Sequence, residues 1–234
     1  LLYRCDHKMC RLPEVKMLSS FQNCGYLPMT IIYLLFTGER QTTLLVYTIL
    51  YMFGFNILIW SVGSSFIFRS AGERFSLKSL FTPPVAATAL VLAIKVAFGN
   101  DAALPQIVET PLTMLGKTTF PLSMLFLGGT LAEAGRIRPD RQFLHETGVP
   151  ALIKLFLIPA IALAICVNCR AVPPLFGFFI MLQAAMPSAI NVSIVTRFRE
   201  GDYRFTSQAV VISHLASMLT IPLWIKLYMM LKGL

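Results

Sequence analysis

The sequence predicts an all-α chain that crosses a membrane several times, and three observations predict it. Of 234 residues, 56% are hydrophobic and only 13% are charged, whereas a soluble domain of this length carries about 25% charged residues. Apolar runs close to the ~20 residues that span a bilayer core recur along the chain. The basic residues between those runs alternate between two sides.

Seven segments are expected to be membrane helices: residues 17–36, 43–66, 81–98, 111–132, 149–167, 174–196 and 206–230. None alternates apolar and polar residues as barrel strands do. The start carries Arg4, Lys8, Arg11 and Lys16, and the loop after the second segment carries Arg69, Arg74 and Lys78. The loops after the fourth and sixth segments carry Arg136, Arg138 and Arg141, and Arg197, Arg199 and Arg204. The opposite side has Arg40, Arg170 and Lys232. Basic loops face the cytoplasm. The N-terminal end of this chain is therefore expected inside and its C-terminus outside.

Several function classes recede. The net charge of +9 resides in short loops, which fits membrane orientation better than nucleic-acid binding. The five cysteines Cys5, Cys10, Cys24, Cys166 and Cys169 are odd in number and scattered, which argues against a disulfide framework. The pairs Cys5/Cys10 and Cys166/Cys169 fall on opposite membrane faces, so no metal site or cofactor is expected. There is no Walker A sequence and no HExxH. An intramembrane enzyme needs a nucleophile with a base, or paired carboxylates, at depth. His214 has Ser213 and Ser217 beside it but no deep carboxylate, and no enzyme activity is expected. The chain opens on Leu1, and it is expected to start inside a longer protein.

Two segments carry a helix breaker deep in an apolar run: Pro28 in the first and Pro187 in the sixth. Proline removes a backbone donor and clashes with the preceding turn. In lipid the freed carbonyls need partners, so each break must face protein or a wet cavity. The neighbours are uncharged and polar: Gln22, Asn23 and Gly25 in one, Gln183, Ser188 and Asn191 in the other. A lone proline more often only kinks a membrane helix. Two such breaks, each with an asparagine close by, fit the paired discontinuous helices with which transporters hold a ligand near the midplane.

The same residues carry a resemblance. Ser20-Phe-Gln-Asn23-Cys-Gly25-Tyr-Leu27-Pro28 resembles the fourth-helix motif of the auxin efflux carrier family of membrane transport proteins, and Ala185-Met-Pro187-Ser188-Ala-Ile-Asn191 resembles its ninth-helix motif. Leu115-Gly116 through Pro121, with Leu127-Gly128 through Leu131, is similar to helix seven, and Leu219-Thr-Ile-Pro222-Leu-Trp224 to the end of helix ten. The likeness runs from about residue 17 to the end. It implies ten helices in two inverted five-helix repeats, of which this chain would hold helices four to ten. Residues 1–66 would end the first repeat, 67–80 would be a cytoplasmic loop, and 81–234 would form the second repeat.

The resemblance also implies a function: a secondary transporter that moves a small organic carboxylate by alternating access, in the plasma membrane. Carried over, Asn23, Gly25 and Pro28 match the first crossover motif and Pro187, Ser188 and Asn191 the second. Asn56 matches a polar position on helix five. Cys24 stands where Ser or Thr is usual, and His214 where a small hydroxyl residue is expected. The expected partners are the anion and the lipid bilayer, with a homodimer allowed and no nucleic acid. The alternative is a sensor or receptor on a transporter fold, which would bind the anion without net flux.

Five ionisable residues lie within or near the ends of the apolar segments. Lys95, Lys154 and Lys226 are near segment ends, and each is expected to snorkel to the interface. Lys117 is deeper and either attracts an anion or snorkels. His214 either couples a proton or is a neutral imidazole bonded to a neighbouring helix.

Overall fold

The computed structural model describes residues 11–63, 67, 83–99, 105–134 and 141–233. Helix lies in every one of the expected segments. Helices α1 (Leu12–Ser20) and α2 (Tyr26–Leu35) share the first. The second is α3 (Gly38–Ile57), continued by a π turn at Leu58–Gly63. The third and fourth are α4 (Pro83–Phe98) and α5 (Gln106–Ala134). The fifth is α6 (Arg141–Leu152), a π turn at Ile153–Leu157, and α7 (Ile158–Asn168). The sixth is divided into α8 (Pro174–Ala184) and α9 (Asn191–Phe198), and the seventh is α10 (Tyr203–Lys232). The expected loop at 67–80 lies outside the described residues apart from Ile67.

Among the described residues, three continuous stretches are long and apolar enough to cross a membrane: Gly38–Trp60, Arg141–Asn168 and Tyr203–Lys232. With large apolar side chains such as Leu34, Leu50, Leu219 and Met230 turned outward, the chain is an all-α polytopic membrane protein. Those exposed residues would destabilise a soluble surface, but they cost nothing against hydrocarbon.

Local chemistry fixes the helix ends. Pro13 opens α1 and Pro174 opens α8, where a missing N–H has no intrahelical partner to lose. The Asp202 carboxylate accepts from Phe205 N at 3.0 Å and caps α10. Gly233, at φ 66°, ends it in the left-handed region. The first break differs in place from the sequence reading. The unwound residues are 21–25, and Pro28 sits in the first turn of α2, where the backbone N–H would be unpaired anyway. The second break spans residues 185–190 and contains Pro187.

Two apolar cores flank the breaks. One joins Met17, Leu18, Phe21, Phe55, Phe143, Val192, Phe205 and Val210, from α1, α3, α6, α9 and the start of α10. The other joins Ile32, Leu44, Phe178, Met181, Met186, Ile221, Ile225 and Tyr228, from α2, α3, α8 and the end of α10. Tyr228 is fully buried and donates to Pro174 O at 2.8 Å, tying α10 to the start of α8.

At the α1 end of the first core, Arg11 joins three elements. Its Nε donates to Asp202 Oδ2 at 2.8 Å and an Nη donates to Glu146 Oε2 at 3.1 Å. Its guanidinium lies over the Phe205 ring, 4.7 Å from the centroid. The Glu146 side chain is 1% exposed and takes a second bond from Gln142. Removing its cation strands a buried carboxylate. Arg11→Ala is therefore expected to destabilise the protein by about 2–3 kcal/mol, toward the lower end for a buried pair because Arg11 itself is partly solvated. The double variant Arg11→Ala/Glu146→Gln should recover part of that loss. Thermal unfolding of the purified protein in detergent measures both.

Candidate functional site

The two unwound segments cross and pair with each other. Gln22 and Ser188 form an isolated antiparallel bridge. Asn23 N donates to Pro187 O at 2.8 Å, and Ala189 N donates to Phe21 O at 2.9 Å. Side chains add two links: Gln183 Nε2 to Cys24 O at 3.1 Å and Ser188 Oγ to Leu18 O at 2.8 Å. An unwound backbone in a membrane must be satisfied by protein or water, and here each break supplies the partner for the other.

A cavity of about 330 Å³ opens beside the crossing. Gln22, Asn23, Gly25, Asn56 and Asn191 line it, between walls of Met52, Phe55, Trp60, Ile190 and Ile194. The N-termini of α2 and α9 both reach it, through Gly25 and Tyr26 on one side and Ile190 and Asn191 on the other. Neither terminus carries a side-chain cap. Two positive dipole ends therefore converge on one space, while in the first turn of α9 Val192 N and Ser193 N already donate to Ala189 O and Ile190 O, both at 3.1 Å. The Asn56 and Asn191 carboxamides make no hydrogen bond among the described residues. Gly25 matters for close approach: a Cβ there would meet Met52 Sδ and Cε at 2.9 Å.

The expected site residues fall into three sets. Asn23, Gly25, Asn56 and Asn191 line the cavity. Pro28, Pro187 and Ser188 are not in its wall. Pro28 lies in α2, Pro187 supplies the carbonyl that Asn23 N binds, and Ser188 is buried with its hydroxyl on Leu18 O. His214, on α10, stands behind Asn23. Its Nδ1 lies 2.8 Å from Val210 O and its Nε2 lies 3.3 Å from Asn23 Nδ2. A carbonyl only accepts, so Nδ1 carries a proton, and Nε2 is the atom that takes the Asn23 amide N–H. Lys117 lies on α5 with its side chain outside the described residues, as does that of Lys95.

Lys154 does not snorkel. It is 2% exposed, and its Nζ donates to Ser20 O at 3.0 Å and to Gln22 Oε1 at 3.1 Å. The reason is the π turn at Ile153–Leu157, which turns this side chain toward the break rather than along the helix; π turns recur at functional positions. Trp224 of α10 supports the turn from outside by donating Nε1 to Leu155 O at 2.8 Å. Gln22 passes the contact on, because its Nε2 donates to the Tyr51 hydroxyl. Sequence reasoning named Lys154 but missed its place; the signal was a lysine with no acidic neighbour inside an apolar run. The Gln22–Tyr51 pair, 29 residues apart, left no sequence signal.

Crossed, discontinuous helices around a shared cavity define the carrier-like class of polytopic membrane proteins. The chain matches the model of the membrane transport protein family over residues 65–225, and it belongs to that family, the auxin efflux carriers. Protein PIN-LIKES 2 of Arabidopsis thaliana is 26% identical over 175 residues, which cover 68% of this chain and 37% of that protein. Protein PIN-LIKES 7 of the same plant is 24% identical over 165 residues, covering 65% and 41% respectively. Protein PIN-LIKES 1 is 25% identical over 140 residues, covering 55% and 29%. The chain thus spans about two fifths or less of the length of these curated relatives. No solved structure matches it. The family match begins after the first break, so at Ser20–Pro28 the likeness rests on the motif and on its pairing with the second break.

Ser188 gives a test of the crossing itself. Ser188→Ala removes the donor to Leu18 O and is expected to lower stability by about 1 kcal/mol. Ligand affinity should change less than about twofold, because the hydroxyl faces away from the cavity. Thermal unfolding and equilibrium binding on the same preparation separate the two effects.

Proposed function

We propose that the protein is a secondary carrier that moves a small organic carboxylate across the membrane by alternating access. The observation that supports this most is the pair of half-helix N-termini, α2 and α9, which bring their positive dipole ends without side-chain caps to one cavity lined by the Asn56 and Asn191 carboxamides. Backbone N–H groups at a helix N-terminus hold an anion without a fixed buried charge. The cavity volume of about 330 Å³ suits a small ligand. Its Phe55, Trp60 and Met52 walls favour an apolar or aromatic body behind the carboxylate.

In this reading Asn23, Asn56 and Asn191 donate to the carboxylate, and Gly25 lets the backbone come close. Pro28, Pro187 and Ser188 shape the two breaks. His214 orients Asn23 and is the candidate for proton coupling, and Lys117 is the candidate for drawing the anion. The antiparallel pairing of α1–α2 with α8–α9 supports an inverted-repeat division, with residues 1–66 ending one repeat and 81–234 forming the other. The loop charges support a cytoplasmic N-terminal end for this chain, and the membrane in this reading is the plasma membrane. The chemistry is translocation rather than catalysis.

The test is flux in vesicles reconstituted with the full-length protein. Radiolabelled aromatic and aliphatic carboxylates are offered with and without a proton or sodium gradient. Asn23→Ala and Asn191→Ala should each lower uptake about tenfold, the effect of losing one hydrogen bond to a charged ligand. Membrane insertion should be unchanged. Wild-type flux in both variants would remove the crossing as the binding site. Binding without flux in the wild type would identify a sensor instead.

A further inference from the structure

Lys154 is the buried cation that the proposed anion site leaves unused. It does not line the cavity, yet it reaches the crossing from the opposite side. Ser20, whose carbonyl it binds, is the last residue of α1. The end of a half-helix carries free carbonyls and the negative end of the helix dipole. The second acceptor, Gln22 Oε1, is a neutral carboxamide oxygen. Among the described residues no carboxylate lies within ion-pair distance of Lys154. An ammonium held by two carbonyl-type oxygens at a half-helix C-terminus uses the same type of ligand that holds a monovalent metal cation. Carriers built on broken helices hold their coupling cation at such ends.

We infer that Lys154 is a tethered cation, occupying with its own ammonium the position at the end of α1 that an exchangeable sodium ion would otherwise take. The consequence for transport, which rests on the carrier reading, is that the carboxylate binds without sodium. Gln22 joins the two halves of the arrangement. Its carboxamide oxygen receives Lys154, its amide donates to Tyr51, and the same residue lines the cavity. The positive charge therefore lies one residue from the proposed carboxylate site and does not leave when the ligand does.

The decisive experiment needs no known substrate. Thermal unfolding of the full-length protein in detergent is followed in choline, sodium, lithium and ethylammonium chloride at equal ionic strength. The wild type and Lys154→Arg should unfold within about 1 °C of each other across the four salts. Lys154→Ala should unfold earlier in choline and recover by at least about 3 °C in sodium, lithium or ethylammonium, because a small cation refills the vacated ligands. Sodium-specific stabilisation of the wild type would overturn the inference. So would a Lys154→Ala protein that behaves alike in all four salts. If the alanine variant cannot be purified, Lys154→Ser takes its place, with the same recovery expected in sodium, lithium or ethylammonium and its absence overturning the inference. Flux forms the second arm: wild-type carboxylate uptake should agree within twofold in sodium and in choline. Salt-specific rescue of Lys154→Ala with no flux of any carboxylate would remove the carrier reading and leave the tethered cation standing.

Discussion

The structure depends on the reciprocal backbone pairing of two unwound segments. Neither Phe21–Gly25 nor Ala185–Ile190 can satisfy its own backbone once its helix stops. Buried in a bilayer, an orphaned peptide group costs several kcal/mol. The two bonds between Asn23 and Pro187 and between Ala189 and Phe21 lower that cost for both segments at once. Each break is therefore a condition for the other. The pairing also sets the level at which four half-helices end, and it divides the apolar interior into the two cores on either side.

From that level follows the electrical character of the centre. Four half-helices meet there, two by their C-termini and two by their N-termini. The C-terminus of α1 is closed: Ser188 takes the carbonyl of Leu18 and Lys154 takes that of Ser20. The N-termini of α2 and α9 reach the cavity without a side-chain cap. At the end of α1 partial negative charge is thus answered within the protein, while the positive dipole ends of α2 and α9 face the cavity. Carboxamides and aromatic walls then select among anions, and the polarity itself comes from which helix ends were capped.

Much of this architecture is legible in the amino-acid sequence, because bilayer thickness and backbone satisfaction leave few choices. The helical segments follow from apolar length, and the two breaks follow from Pro28 and Pro187 with their polar neighbours. The local offset at Pro28 has a simple cause: proline is tolerated in a first turn, so it marks the start of α2 rather than the unwound stretch before it. Asn23, Gly25, Asn56 and Asn191 stand out as polar or small residues in apolar runs. What the sequence could not convey is direction. Ser188 and Asn191 are equally polar and three residues apart, but one points to Leu18 O and the other lines the cavity. Lys154 sits near a segment end, where a long side chain ordinarily reaches water; only the geometry of its own turn sends it inward. Partners that are distant along the chain, such as Gln22 with Tyr51 or Trp224 with Leu155, have no local sequence pattern.

The π turn at Ile153–Leu157 has a consequence for how this helix can vary. A π turn accommodates one residue more than the α-helical path around it. Each α-helical residue advances the side-chain direction by about 100°, so the extra residue is what lets Lys154 and the faces of α6 and α7 point correctly together. In lineage terms the turn has the form of a single-codon insertion. Loss of that codon would keep the helix intact and apolar, yet rotate one half of it against the other. Relatives of this chain should therefore be sorted by helix register at this point before their lysines are compared, because an aligned letter without the extra residue would face lipid.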